Sequence, residues 1–237
     1  MKTVLHPAGS RGHANHGWLD THHTFSFAGY HNPERVHFGM LRVLNDDIVK
    51  GGMGFGQHPH DNMEIVSIPL KGVLEHRDTT GGHGLIRAGE VQIMSAGSGL
   101  QHSEKNGSHA EDVNFLQIWV FPKERNVKPR YDQKLYPASE RLNKFQTVVA
   151  PDKADGALWI NQDAWFSLGT FSKGTVADYT LRKSDSGVYI FIIEGSVTVN
   201  GQLLNRRDGY GVWETNSISL TAGEQAEILL MEVPMMP

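Results

Sequence analysis

The chain has 237 residues, a net charge of −4, 39% apolar residues and no cysteine. That length holds one large core or two small ones. The missing thiols exclude disulfides, zinc–thiolate sites and iron–sulfur clusters, and the mildly acidic balance excludes the basic stripe of a DNA-binding surface.

The first twelve residues, MKTVLHPAGSRG, contain no apolar stretch of signal-peptide length. The longest apolar run, Val188 to Ile193, is far shorter than a membrane span. Both features predict a cytoplasmic protein with no membrane contact, and the acidic balance predicts no direct nucleic-acid contact. Arg11 to Tyr30 is rich in histidine, aromatics and glycine, so it reads as an ordered segment. Short strand-like runs follow at Phe38–Leu44, Glu64–Leu70, Gly84–Ile86, Glu90–Met94 and Asn114–Phe121, and Asn45-Asp46-Asp47 reads as a turn. Pro122 to Asn143 is polar and carries three prolines, as a connection between halves would. Strand-like runs resume at Phe145–Val149, Ala157–Ile160, Trp165–Phe171, Ala177–Leu181, Val188–Ile193, Ser196–Val199, Gly211–Trp213, Ser217–Leu220 and Ala226–Val233. Asn200-Gly201 predicts a tight hairpin, because a type I′ turn needs positive φ at both central residues. No long helical period occurs. The expected fold is therefore all-β, with antiparallel barrels or sandwiches at 1–122 and 144–237 joined by 123–143. The halves echo each other weakly: Leu70-Lys71-Gly72 matches Ile193-Glu194-Gly195, and Arg87-Ala88-Gly89 matches Arg207-Asp208-Gly209.

All 13 histidines lie at or before His109, so the chemistry belongs to the first half. In a strand, residues i and i+2 face the same way. His58 and His60 can thus aim two imidazoles at one point. A His-x-His pair alone is weak evidence in a chain this rich in histidine. The context comes after a strand and a Gly-rich bend, where His102 and Glu104 again share a face. Three imidazoles and a carboxylate suit one Fe(II), Mn, Ni, Co, Cu or Zn ion and leave positions open for substrate. The blander alternative is a buried polar network without an ion.

The segments HPHDNMEIVSIPLKG and AGEVQIMSAGSGLQHSE, preceded by RGHANHGWLDTHHTFSF, resemble the paired motifs of cupins. More specifically they resemble the pirin family and its bacterial quercetinase-like members, over essentially the whole chain. The resemblance implies a bicupin with one metal ion in the N-terminal half, most simply Fe(II), held by His58, His60, His102 and Glu104. The general cupin carboxylate would fall at position 65, which is isoleucine. Glu64 is one residue out of phase and is expected to point away from the metal, leaving Glu104 the carboxylate role. In the second half the positions equivalent to His58 and His60 are Leu181 and Lys183, which offer no ligands.

Other residues compete for the same pocket. His22 and His23 are adjacent, so at most one of them reaches it; the plain alternative is loop packing. Gln117 interrupts an apolar strand, and a buried amide needs partners, so a role beside the metal is expected. His13, His16 and Asp20 fix the N-terminal segment by hydrogen bonds. His6, His31, His37, His76, His83 and His109 read as surface or packing residues. The activity implied by the resemblance is metal-dependent opening of a flavonol-type substrate by O₂, with Glu104 as catalytic base. The alternative from a different class is a metal- or redox-sensitive binding module that acts on a protein partner, a transcription regulator, without catalysis.

Overall fold

The computed structural model describes residues 1–153 and 156–236. The expected second half, 144–237, therefore includes three positions outside the described residues. The described residues form strands joined by turns; they contain no α-helix, only short 3-10 turns such as Ala8–Ser10 and Ala138–Arg141. No helix among them is long and apolar enough to cross a membrane.

Each half is a seven-stranded sheet facing a four-stranded one. In the first half the large sheet runs Arg130–Leu135, Glu90–Ser95, Glu64–Lys71, Val113–Val120, Leu41–Val49, Leu19–His23, Gly12–Asn15. Its small sheet runs Gly54–His60, Leu100–Asn106, Val73–Asp78, His83–Arg87. In the second half the large sheet runs Lys2–His6, Gly209–Trp213, Ser186–Glu194, Ala226–Pro234, Trp165–Phe171, Phe145–Ala150, Leu158–Trp159. Pairing is antiparallel except between the last two of these strands.

Period-two alternation explains how the layers stack. Along Val113–Val120, Leu116, Ile118 and Val120 enter the core where the two large sheets meet, while Phe115 joins the cluster inside the first barrel. Along Ser186–Glu194, Tyr189, Phe191 and Ile193 enter the same shared core. Val188, Ile190 and Ile192 fill the second barrel, together with Leu181, Ile228 and Leu230. Central strands of both large sheets are thus covered on both faces. That is why they read as continuous apolar runs rather than as alternating ones.

Three expectations need correction. Lys2–His6 lies in the first half by sequence but pairs with Gly209–Trp213 in the second half's sheet. Arg130–Leu135, inside the expected connection, is a strand that pairs with Glu90–Ser95. Asn45-Asp46-Asp47 is no turn: it lies within the strand Leu41–Val49, paired on both sides. The polar trio tolerates that position because Asn114, Thr21 and His23 on other strands, and Arg11 just before one, supply it with partners. The Asn200-Gly201 hairpin forms as expected, with φ of 47° and 88°. Gly72 and Gly195 occupy equivalent turns, both with φ of 80°.

Candidate metal centre

His58 and His60 sit on Gly54–His60, and His102 and Glu104 on the neighbouring strand Leu100–Asn106. His102 pairs directly with His58, but Glu104 pairs with Phe55, so the register shifts between them. That bulge places two residues, Gly56 and Gln57, opposite Ser103, and bulges of this kind re-aim side chains beside functional sites. The three rings converge: their centroids lie 4.4 Å (His58–His102), 4.8 Å (His60–His102) and 4.9 Å (His58–His60) apart. One nitrogen of each ring lies within 4.8 Å of the others.

The surroundings orient these donors. His58 donates from Nδ1 to the Gly56 carbonyl at 2.8 Å, which leaves Nε2 bare toward the cluster. Glu104 is fully buried: Oε1 accepts from Ser67 Oγ at 3.0 Å and Oε2 from Gln117 Nε2 at 2.5 Å. Burial nevertheless lifts its carboxyl to about 7, against the pull of those two bonds. Burial, with His58 beside it, lowers His60 to about 4. Burial and the neighbouring rings lower His102 to about 2, so this imidazole stays neutral and keeps a lone pair. Both His102 nitrogens are buried without a hydrogen-bond partner. A buried imidazole left so is costly. A cation among the three imidazoles and the carboxyl would satisfy the His102 lone pair and draw the Glu104 proton off, so these residues fit a divalent ion.

A cavity of about 910 Å³ opens over the cluster. His58, His60, Glu104 and Gln117 face it, and Trp18, Phe27, Tyr30, Phe55 and Trp119 supply flat apolar wall. Glu64 lies elsewhere: its Oε2 accepts from Ser95 Oγ at 2.8 Å and from the Asn161 amide at 3.1 Å, at the seam between the halves. Of the adjacent histidines, His23 is buried on the cavity wall with Nδ1 bonded to Asn45 Oδ1 at 3.0 Å. His22 does not line the cavity: it is half-exposed on the other face of the strand, beside Asp20. Leu181 is buried in the second barrel's apolar core, and Lys183 pairs with Asp163 on the surface.

Two groups beside the cluster, read in the sequence as a surface or packing histidine and as a turn residue, are placed otherwise by the structure. His76 is fully buried directly across from Glu104, with Nε2 bonded to Asp78 Oδ2 at 2.9 Å and its ring stacked on Tyr131. The His76-x-Asp78 spacing was its only signal; the register that brings it opposite Glu104 is tertiary. Asp47 is the second: it lines the cavity, bonded by Thr21, with its carboxyl lifted to about 7 by burial.

Residues 5–120 match the pirin family, and residues 147–233 match the quercetinase C-terminal cupin domain. The chain is 42% identical over 230 residues to a protein named quercetin 2,3-dioxygenase from Escherichia coli K12, covering 97% of this chain and 98% of that one. It is 41% identical to a pirin-like protein from Caulobacter vibrioides, over 95% and 97% of the two chains. The crystal structure of the E. coli bacterial pirin YhhW in complex with nickel(II) superposes with a TM-score of 0.93 at 41% identity, over 98% and 99% of the chains. With the paired barrels and the three-histidine cluster in view, these matches establish that the chain belongs to the pirin family and has its bicupin fold.

Proposed function

We propose that this protein is a metal-dependent dioxygenase that opens flavonol-type substrates with O₂, in the manner of a quercetin 2,3-dioxygenase. The observation that carries the reading is the convergence of His58, His60 and His102, with a Glu104 oxygen within 4.8 Å of a His102 nitrogen, beneath a cavity walled by aromatic rings. One divalent ion, Fe(II) by preference, with Mn, Ni, Co, Cu and Zn also suited to this donor set, would be held by His58, His60, His102 and Glu104. When bound, the ion supplies Lewis acidity that lowers the pKa of a phenolic hydroxyl.

The remaining work falls to the protein. Trp18, Phe55 and Trp119 offer faces and edges against which a planar ring system can stack. Glu104 is placed to take the proton of a hydroxyl entering from the cavity. Ser67 and Gln117 hold its two oxygens in place, so the carboxylate need not reorganise as the proton moves. The largely apolar wall lowers the local dielectric, which strengthens each of these interactions. The overall reaction inserts both oxygen atoms and releases carbon monoxide as the ring opens. We place the protein in the cytoplasm.

The test is turnover of quercetin under air by metal-free protein reloaded with each ion, alongside His60→Ala. Turnover should depend on added metal. His60→Ala should lose metal and activity while keeping its fold, because both barrel cores lie away from His60. Metal-loaded protein with no turnover of any flavonol would sink the enzyme reading in favour of the binding-module one. Loss of the fold in His60→Ala would make the cluster structural.

A further inference from the structure

We infer that His13, Asp20 and His22 form a second, peripheral cation site on the N-terminal hairpin, which takes a borderline transition metal such as Zn(II), Ni(II) or Cu(II). This site shares no residue with the central cluster and does not depend on the proposed activity. It adds a weaker ion to the single one expected from the sequence.

The hairpin of Gly12–Asn15 and Leu19–His23 brings the donors together. Its register sets His13 directly opposite His22 and Asn15 opposite Asp20. Directly opposed residues share a face, and so do residues two apart. All three side chains therefore emerge on one side of the hairpin. The two imidazoles stack at 4.4 Å with their planes 18° apart. His13 Nε2 lies 2.9 Å from Asp20 Oδ1, and His22 Nδ1 lies 3.7 Å from the same oxygen.

Those spacings match the chemistry. Metal–nitrogen and metal–oxygen bonds of about 2.0–2.2 Å put neighbouring donors about 3 Å apart. The His13–Asp20 separation meets this as a hydrogen bond whose proton an ion would replace, and His22 Nδ1 would have to close in from 3.7 Å. Asn15 Nδ2 donates to Asp20 Oδ2 at 2.9 Å, which fixes the carboxylate with Oδ1 toward the rings, as outer partners of metal ligands do. The nearby Arg11 guanidinium opposes a cation, but it is turned toward Asp46 at 3.4 Å. Two imidazoles with one carboxylate favour borderline ions over Mg²⁺ or Ca²⁺. The half-exposed setting leaves water to complete the shell, so the ion exchanges easily.

The position has a consequence for the cavity. Gly12–Asn15 is the edge strand of its sheet, and His13, Ala14, Trp18 and Thr21 of this hairpin line the cavity. An ion bridging the two strands ties down that wall.

Isothermal titration of metal-free, full-length protein with Zn(II) tests the site. We expect one tight and one weaker equivalent. Asp20→Asn, His22→Ala and the double variant His13→Ala/His22→Ala should each weaken the second equivalent by about tenfold or more, since even outer partners of a metal cost 10–100-fold. The tight equivalent should be retained, which reports an intact fold. Should a histidine variant lose both equivalents, the conservative Asp20→Asn decides. A single equivalent in the unaltered protein, or a second equivalent that survives Asp20→Asn and the double variant, would overturn the assignment.

Discussion

Two buried glutamates, Glu104 and Glu64, have carboxyls lifted to about 7 by burial, yet they face different surroundings. Glu104 faces the cavity; Glu64 faces the seam, where Ser95 and Asn161 bind it. A positioned base contributes about 10²–10⁴-fold. Glu104→Gln should therefore lose most flavonol turnover even with metal in excess, while Glu64→Gln keeps it. An active, metal-loaded Glu104→Gln beside a dead Glu64→Gln would reverse the assignment. Glu64 also predicts a pH effect. Below 4.5 its carboxyl is protonated whether the chain is folded or not. Between 4.5 and about 7 the folded form holds a proton that the unfolded form has released, so stability falls as pH rises through that window. Asp47, and Glu104 in metal-free protein, act in the same direction. Glu64→Gln cannot ionise, so it should remove on the order of 2 kcal/mol of that fall. Denaturant melts of metal-free protein at pH 5 and 7.5 measure the difference; an unchanged slope would show that Glu64 is ionised in the fold.

Turns and register decide which side chains meet at the scale of the strand. The turn at Gly195 repeats the one at Gly72, but its surroundings are tighter: a Cβ there would lie 2.2 Å from the Gln225 carbonyl oxygen. Gly201, in the Asn200-Gly201 hairpin, also has positive φ, but open space surrounds it. Gly201→Ala should therefore cost about 1 kcal/mol, the strain of a left-handed L-residue. Gly195→Ala adds overlap with fixed backbone and should cost about 3 kcal/mol or more. Denaturant unfolding of both variants checks the order; equal costs would mean that the turn shifts to relieve the clash. The bulge between His102 and Glu104 is the corresponding device in the site, since an unshifted ladder would not put Glu104 across from Phe55.

Asp46 joins the halves of the whole molecule. Its Oδ2 lies 3.4 Å from Arg11 and 3.4 Å from Arg207, and Arg207 reaches on to Glu194 in the second half. All but Glu194 are buried or nearly so, with side-chain exposures of 6% for the two arginines and 11% for Asp46. Removing one partner of a buried ion cluster leaves uncompensated charge and costs about 3–5 kcal/mol. Asp46→Ala should destabilise the protein by that much in denaturant melts, without touching the central cluster's donors. A loss below 1 kcal/mol would show that water enters the seam and solvates both guanidinium groups. Lys2–His6 adds a second tie, since it starts the chain within the second half's sheet.

Local pattern sufficed for much of this molecule. Strand runs such as Trp165–Phe171, the Asn200-Gly201 turn and the phase of His-x-His and His-x-Glu follow from period-two geometry and backbone φ, which neighbouring residues set between them. The same phase set Glu64 apart from Glu104, and the adjacency of His22 and His23 limited the cavity to one of them. The strand through Asn45-Asp46-Asp47 was illegible, because polar residues there are stabilised by Arg11, Thr21, His23 and Asn114, distant in sequence. So was the sheet membership of Lys2–His6 and Arg130–Leu135, because hydrogen-bonded edges carry no side-chain signature of their partner. His76 behind the cluster and His13 against His22 depend on register between strands. Sequence set which face each side chain takes; tertiary pairing decided which faces meet, because that choice is made by long-range burial and by partners that no local window contains.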